Sequence, residues 1–298
     1  MHLIALPLPQ PARAATPVGP GPRLPSPPAL DATVERLPLS TLAGRQVVIE
    51  EAFDGADADL SFDARGDLRL GSRGRPLAGG FGERPFIPLK IWALAHEHRL
   101  MERLGDRLVL HGAWTYAMRR CWYDRLPHYF IATELVDRES GRCLSTARRQ
   151  ALLDGSPVMS APVLYMGPMP THPQWLEPLM RASLATSADW RRAFEAVAIR
   201  ESLPAALWQR RADRGGPAAG LIVKVEDDRH VVARYRLVQT PDEGAIPLPS
   251  LLPNALAGGA DLFAAQPTVS WRDLGLKTLR SLGALRGLSA GAVERRCA

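Results

Sequence analysis

Lysine is scarce in this sequence, which limits where amine chemistry could occur. Only three of the 37 basic residues are lysines, at Lys90, Lys224 and Lys277, and the others are arginines. A lysine amine can become a covalent nucleophile once it loses its proton, whereas a guanidinium stays protonated. Any reaction that requires an amine nucleophile therefore has three candidates in this chain.

The stretch VVIEEAFDGADADLSF, residues 47–62, is the second feature with chemical interest. Its pattern predicts a β-strand, a turn at Asp54-Gly55 and a second strand. Asp54 would place a carboxylate at the turn, but Ala52, two residues earlier, has no reactive group. The pattern is that of either a site without its nucleophile or a plain hairpin.

The elements that would position these residues alternate between strands and helices. Apolar alternation around Asp54-Gly55 and Arg65-Gly66 predicts a β-meander. Further strands are predicted over 106–114, 127–137 and 161–167, with a hairpin over 220–239. Helices are predicted over 84–105, 145–155, 172–184, 187–203, 204–212 and 270–291. This mixed order with hairpins indicates an α+β fold with largely antiparallel sheets.

Composition allows one large domain or two small ones. The chain has 298 residues with 46% hydrophobic content, enough for a proper core. Proline crowding predicts a mostly disordered arm over residues 1–30, followed by a domain over 31–264 and a basic C-terminal helix and tail over 265–298. A formal net charge of +6 is compatible with nucleic-acid binding, although arginine-rich codon usage explains it equally well.

Several motifs follow one another in a characteristic order: strand–Asp-Gly, SRG, HGAWTYA, YDRLPHYF, LSTARR, AGLIVKVE and RYR. This order resembles the ATP-dependent RNA ligase family of the covalent nucleotidyltransferase superfamily, over roughly residues 23–264. The resemblance implies antiparallel sheets flanked by helices around a central ATP cleft. It also implies a reaction in which a lysine attacks ATP, and AMP then passes to a 5′-phosphate before a 3′-hydroxyl displaces it.

The family's catalytic positions fall on small residues in this chain. The nucleophile of the Lys-x-Asp-Gly motif falls on Ala52, the glutamate of Gly-Glu-Trp on Ala113, and the metal-linked glutamate before Gly-Leu on Ala219. The stacking phenylalanine falls on Thr133. Since Thr133 and Arg236 also depart from the family, natural loss explains the three alanines better than engineering does. The resemblance therefore predicts a chain that has lost lysine adenylylation.

At the other motif positions the resemblance finds Ser72, Arg73, Trp114 and Lys224 retained, whereas Thr133 and Arg236 replace a phenylalanine and a lysine. The resemblance implies ligand contacts at Ser72, Arg73, Trp114 and Thr133, with phosphate-contacting cations at Lys224, Arg234 and Arg236. The alternative to a ligand contact at Arg73 is that its side chain simply lies in solvent at a turn.

Two functions remain open on these residues. The first is a pseudo-ligase that binds RNA ends or a partner, without any cofactor or metal. The second is a repurposed enzyme whose remodelled cleft turns over a small molecule, with candidate residues Lys224, Glu134, Asp54, His111 and Tyr116. Each of these side chains could instead be packed and hydrogen-bonded.

Partners and location follow from composition and from this resemblance. RNA or another phosphate-bearing ligand is expected, with a small-molecule substrate as the alternative. Three sparse cysteines argue against a disulfide framework and favour a reducing cytoplasm. No apolar run reaches membrane-spanning length, so no membrane association is expected.

Overall fold

Two six-stranded sheets form the framework of the protein. The computed structural model describes residues 2–10, 36–171, 173–181, 183–204, 219–238 and 252–278. The strands, in chain order, are β1 (His2–Leu6), β2 (Arg36–Leu37), β3 (Gln46–Glu51), β4 (Ala56–Phe62), β5 (Leu68–Ser72), β6 (Arg75–Pro76), β7 (Leu108–Trp114), β8 (Phe130–Asp137), β9 (Met159–Ser160), β10 (Val163–Pro168), β11 (Leu221–Glu226) and β12 (Val231–Val238).

The first sheet has the order β10-β3-β11-β12-β1-β2, and the second has the order β6-β5-β4-β7-β8-β9. Neighbouring strands in these sheets are antiparallel, apart from the parallel pair β8 and β9. Helices flank them, and the predicted α+β fold with antiparallel sheets is confirmed. The α-helices of the described residues are α1 (Ile87–Ala95), α2 (Glu97–Leu104), α3 (Thr146–Leu153), α4 (Glu177–Arg181) and α5 (Trp190–Arg200). Short 3-10 helices cover Leu39–Leu42, Phe81–Phe86 and Pro173–Leu176.

The Asp54-Gly55 stretch is not a hairpin turn, which corrects the predicted meander. Strand β3 pairs with β10 and β11 in the first sheet, whereas β4 pairs with β5 and β7 in the second. The chain therefore crosses from one sheet to the other at Asp54-Gly55. Glycine is required there because a Cβ on Gly55 would lie 2.8 Å from the Trp114 carbonyl oxygen. Only β4 and β5 form the predicted local pair.

Each sheet buries its own apolar face. Trp92 of α1, Trp114 of β7 and Phe130 of β8 pack in the core of the second sheet. Ile49 of β3 and Leu221 of β11 pack in the core of the first sheet, together with residues near α4. Because side chains alternate along a strand, the residues between these core positions point to the opposite face, where the two sheets approach each other.

The segment predicted as one helix over 84–105 is divided at His96. The backbone of His96 leaves the helical conformation, and its Nε2 lies 3.1 Å from the Leu262 carbonyl oxygen. A tertiary contact to the C-terminal part of the chain thus sets the boundary between α1 and α2. The predicted helices 187–203 and 145–155 correspond to α5 and α3. The predicted helix 172–184 is present only as a 3-10 turn followed by α4.

Both ends of the domain differ from the sequence expectation. The arm expected over 1–30 begins instead with strand β1, which pairs with β12 and fully buries Leu3. The rest of the arm, from residue 11, lies outside the described residues. Over 271–278 the predicted helix is replaced by turns, because Gly275 has a φ of 96° and Trp271 is drawn into the core. The remainder of that helix and residues 205–212 also lie outside the described residues.

Candidate functional site

A set of charged and polar residues, most of them buried, lies where the two sheets face each other. We call it the inter-sheet network, and it comprises Glu50, Thr133, Glu134, Arg149, Lys224 and Arg234. The first sheet supplies it from β3, β11 and β12, and the second sheet supplies it from β8. Helix α3 adds Arg149. The alternation of each strand explains this arrangement, because Val223 and Val225 on either side of Lys224 face the apolar core.

Lys224 lies at the centre of the network and is almost completely buried. Its Nζ is 2.6 Å from Glu50 Oε2 and 3.6 Å from Glu134 Oε1. It also donates a hydrogen bond of 2.6 Å to the Thr133 carbonyl oxygen. The amine is therefore directed into protein acceptors rather than toward an open surface.

Two arginines complete the pairing of the buried carboxylates. Arg149, which is 1% exposed, donates to Glu50 and to the Thr133 carbonyl oxygen. Arg234 Nη1 lies 2.7 Å from Glu134 Oε1, and Arg234 Nη2 donates to the Pro7 carbonyl oxygen at 2.8 Å. Each carboxylate therefore has one arginine in addition to Lys224. Such pairing is what allows charges to remain buried.

The electrostatics of Glu134 reflect this environment. Burial by itself would raise the pKa of Glu134, but the charges of Lys224 and Arg234 outweigh it and lower the pKa to about 2. The neighbouring Thr133 hydroxyl donates to the same carboxylate and adds to the lowering. Glu134 is thus held as a carboxylate. Its role in this structure is that of a counter-ion.

The crossing between the sheets encloses Asp54. One Asp54 carboxylate oxygen accepts the backbone N–H groups of Arg120 and Cys121, the latter at 2.8 Å. The backbone N–H of Asp54 donates to the Tyr123 hydroxyl at 2.8 Å. Asp54 is only 5% exposed. Its carboxylate therefore anchors the loop that follows β7.

Ala52, Ala113 and Ala219, which the sequence resemblance assigns to catalytic positions, lie close to this crossing. Ala52 directly follows β3, and its N–H donates to the Gly220 carbonyl oxygen at 3.0 Å. Ala219, next to Gly220, accepts a hydrogen bond of 3.0 Å from Arg236 Nη2. The Cβ atom of Ala113 would lie 3.1 Å from a Cβ atom added to Gly55. Ala52 and Ala219 thus lie on the first-sheet side of the crossing, and Ala113 lies on the second-sheet side.

Ser72 ends β5, and Arg73 begins the two-residue turn that leads to β6. The Ser72 hydroxyl donates to the Asp57 carbonyl oxygen at 2.6 Å, and Arg73 Nε lies 3.7 Å from Asp57 Oδ2. The Arg73 side chain is 66% exposed and its φ is 51°, a left-handed conformation that is uncommon outside glycine. Of the predicted ligand contacts, Arg73 presents the most accessible cation.

His111 and Asp59 form a pair on adjacent strands β7 and β4. The His111 Nδ1 lies 2.6 Å from Asp59 Oδ1, and both side chains are largely shielded from solvent. Among the described residues, the buried Nε2 of His111 has no hydrogen-bond partner. A carboxylate on one ring nitrogen orients the imidazole and leaves the other nitrogen for a further partner.

Trp114 and Tyr116 belong to an aromatic cluster. Trp114 is 1% exposed, its Nε1 donates to the Pro85 carbonyl oxygen at 2.7 Å, and it stacks on Tyr116. Tyr116 also meets Tyr129 edge-on. This packing gives no support to a ligand contact at Trp114. The described residues hold no group of three or more histidine, cysteine, aspartate or glutamate side chains arranged for a metal ion.

Sequence reasoning missed three groups that the structure makes prominent: Glu50, Arg149 and Asp59. Glu50 and Glu51 are adjacent in β3 and point to opposite faces of the strand. Glu51 faces away from the network and accepts hydrogen bonds from the Ser183 hydroxyl and the Leu184 N–H. Burial is the largest influence on Glu51 and raises its pKa to about 7. The only sequence signal for Glu51 was an acidic residue within an apolar strand.

Two facing antiparallel sheets, joined by a strand–Asp-Gly crossing, define an RNA ligase-like nucleotidyltransferase fold. A comparison with family profiles matches residues 45–237 to the family described as RNA ligase. The chain belongs to the RNA ligase family. A comparison with curated proteins gave no match.

Solved structures of Naegleria gruberi RNA ligase are among those similar to this chain. A lysine-to-alanine mutant of that ligase with ATP and Mn has 14% sequence identity and a TM-score of 0.42, covering 67% of this chain and 52% of that one. The same ligase with pyrophosphate has 13% identity and a TM-score of 0.41, covering 65% and 51%. This chain therefore spans about half the length of those ligases. No helix within the described ranges is long and apolar enough to cross a membrane.

Proposed function

We propose that this protein is a pseudo-ligase, a member of the RNA ligase family that binds RNA ends or a partner without forming a lysyl-adenylate. One observation carries the proposal. Ala52 stands where the family resemblance puts the nucleophile, and the nearby lysine of the site, Lys224, is enclosed in the inter-sheet network.

Adenylylation needs an amine that can reach the α-phosphate of ATP. The methyl group of Ala52 has no lone pair, so no phosphoramidate can form there. Lys224 is 1% exposed and its Nζ is engaged by Glu50 and by the Thr133 carbonyl oxygen. Moving Lys224 to ATP would leave Glu50 and Glu134 buried with fewer counter-charges, which is costly.

The groups that would bind metal are also missing from these positions. Ala113 and Ala219 replace the carboxylates that the resemblance places there, and a methyl group cannot bind a divalent cation. The remaining carboxylate of the crossing, Asp54, already accepts two backbone N–H groups. Loss of several members of a catalytic set leaves little of the original reaction.

Binding of a phosphate-bearing ligand is the part of the family's function that these residues still support. Arg73 is exposed, and Arg236 is partly exposed beside Ala219. Arginine presents a planar set of donors that suits phosphate oxygens. RNA ends are the ligand that family membership favours.

Incubation with α-labelled ATP and Mg²⁺ or Mn²⁺, followed by denaturing electrophoresis, tests the proposal. We expect no labelled protein, and no ligation from Ala52→Lys alone, because Ala113 and Ala219 still lack carboxylates. An active RNA ligase provides the positive control. A band that survives denaturation and disappears in Lys224→Arg would make Lys224 the nucleophile and overturn the proposal.

The second candidate function is a repurposed enzyme, and the His111–Asp59 pair favours it. An imidazole held by a carboxylate, with its other nitrogen unpartnered among the described residues, suits general acid–base chemistry. Thermal-shift screening of small molecules against the protein and against His111→Gln tests this candidate. A ligand that raises the Tm of the protein but not that of the variant would favour it over the pseudo-ligase.

A further inference from the structure

A second site, separate from the inter-sheet network, lies at the far end of the strands. A groove of about 700 Å³ opens there between α2, the start of β7, the end of β8, α3 and the turn between β11 and β12. Its basic lining residues are Arg103, Arg107, Arg142, Arg148, Arg229 and His230. We call it the arginine groove. Four separate parts of the chain supply these cations, so no single helix or turn accounts for the cluster.

The charge of the arginine groove is only partly compensated. Its one lining carboxylate, Asp137, is paired with Arg107 at 2.5 Å, and Arg107 also meets Glu139 at 2.9 Å. The hydrogen bonds from Arg107 hold the pKa of Asp137 below its ordinary value. Asp227 lies 3.9 Å from His230 Nδ1 and also interacts electrostatically with Arg142. No carboxylate in the described ranges forms a salt bridge with the other groove arginines, which are all exposed: Arg103, Arg142, Arg148 and Arg229.

The groove is distant from the Asp54-Gly55 crossing. Leu108 lines the groove at the start of β7, and Trp114 at the other end of that strand approaches Gly55. Six strand residues at about 3.3 Å each separate the two places by roughly 20 Å. A ligand in the groove would therefore contact none of the positions discussed for adenylylation.

We propose that the arginine groove binds the phosphate backbone of single-stranded RNA. The inference rests on the proposed function only in taking RNA as the ligand, since the groove itself stands on its charge and shape. Four exposed guanidinium groups can each donate two parallel hydrogen bonds to a phosphate. The volume lies within the range of about 300–1,000 Å³ that holds small ligands, which is room for a short stretch of strand.

The expected salt dependence follows from the four unpaired arginines. Each phosphate contact on a single strand contributes a slope of roughly −0.7 to the logarithm of affinity against the logarithm of salt. Four contacts give roughly −2.8, so affinity should fall about 50-fold between 50 and 200 mM salt. Removing two of the contacts should make the slope shallower by roughly 1.4 and weaken binding about 25-fold at 0.1 M salt.

The test is fluorescence anisotropy with a labelled single-stranded RNA, with the full chain and two matched double variants. Arg148→Gln with Arg229→Gln removes two exposed groove charges. The control variant, Arg192→Gln with Arg200→Gln, removes two exposed charges from α5 and so has the same net charge as the groove variant. We expect the groove variant to lose about 1.4 in slope, as estimated for two contacts, and the α5 variant to keep it.

Equal slopes for the two variants would overturn the inference, because charge alone would then explain binding. A second pair of results would also overturn the inference. If inorganic tripolyphosphate displaces the RNA at an equal phosphate concentration, and the groove variant keeps the salt slope of RNA binding, the groove is a site for free phosphates. The same titration with Arg73→Gln separates the two proposals. An effect at Arg73 without one at the groove supports the cleft-binding proposal alone, and the reverse supports the groove alone.

Discussion

Glu51 carries the most informative stability prediction, because it is a buried carboxyl group next to Ala52. The Ser183 hydroxyl and the Leu184 N–H donate to its two oxygens, and the charge of Arg125 also favours the ionised form. Burial outweighs all three and raises the pKa of Glu51 from 4.5 to about 7. The folded protein therefore retains a proton on Glu51 at a pH where the unfolded chain has lost it.

The sign and the size follow from this pKa. Between pH 4.5 and about pH 7 the folded state binds one more proton than the unfolded state, so the free energy of unfolding falls as the pH rises. The contribution is fully present below pH 4.5, declines by about 1.4 kcal/mol per pH unit, and levels off above about pH 7. The total loss is about 3 kcal/mol.

Glu51→Gln is the perturbation, since an amide has nearly the same shape as the neutral acid and does not titrate. Urea unfolding at pH 4.5, 6, 7 and 8 should show the variant gaining about 3 kcal/mol relative to the unmodified protein across this range. Glu195→Gln, at an exposed position of α5, is the control for removing one carboxylate from the chain. A difference between the unmodified protein and Glu51→Gln that stays constant with pH would refute the reasoning.

Two further substitutions test the interior. Lys224→Met should lower the free energy of unfolding by about 3 kcal/mol, the low end for a broken buried pair because each carboxylate keeps an arginine. The control Lys90→Met removes only a part-exposed pair with Glu83 and should lower the free energy of unfolding by less than about 1 kcal/mol. If urea unfolding gave the same loss for both lysine variants, Lys224 would not be a stabilising member of the inter-sheet network. Trp271→Ala should cost about 3–5 kcal/mol, since Trp271 is 6% exposed and stacks on Phe53. Phe263→Ala, at a side chain 55% exposed, is its control, and similar Tm values for both variants would count against a packed C-terminal segment.

Strand existence and strand faces were accessible from the sequence because they depend on local patterns. The alternation in LIVKVE places Lys224 on one face of the strand and Val223 and Val225 on the other face, whatever the neighbouring strands are. The hairpin of β11 and β12 was also predictable, because the two paired strands follow one another in the sequence with only a short turn between them. The motif order identified the family, and the family profile agrees.

Strand partners were not accessible from the sequence, because a polar turn looks the same whether it returns to one sheet or leaves for another. Asp54-Gly55 has the composition of a hairpin turn, yet β3 pairs with β11, which is distant in sequence. The glycine serves the close approach to Trp114 rather than a hairpin. The same holds at Gly275, where packing of Trp271 prevailed over an amphipathic helical pattern.

The sequence alone determined which side chains are available: three lysines, and alanine at positions 52, 113 and 219. Only the tertiary structure decided what the retained cations do. Lys224 and Arg234 are counter-ions of Glu50 and Glu134, because strands far apart in the chain bring those carboxylates within 4 Å of them. Ion pairing depends on distance through space, and no local pattern encodes it; the same reason hid the arginine groove, whose cations come from four separate parts of the chain.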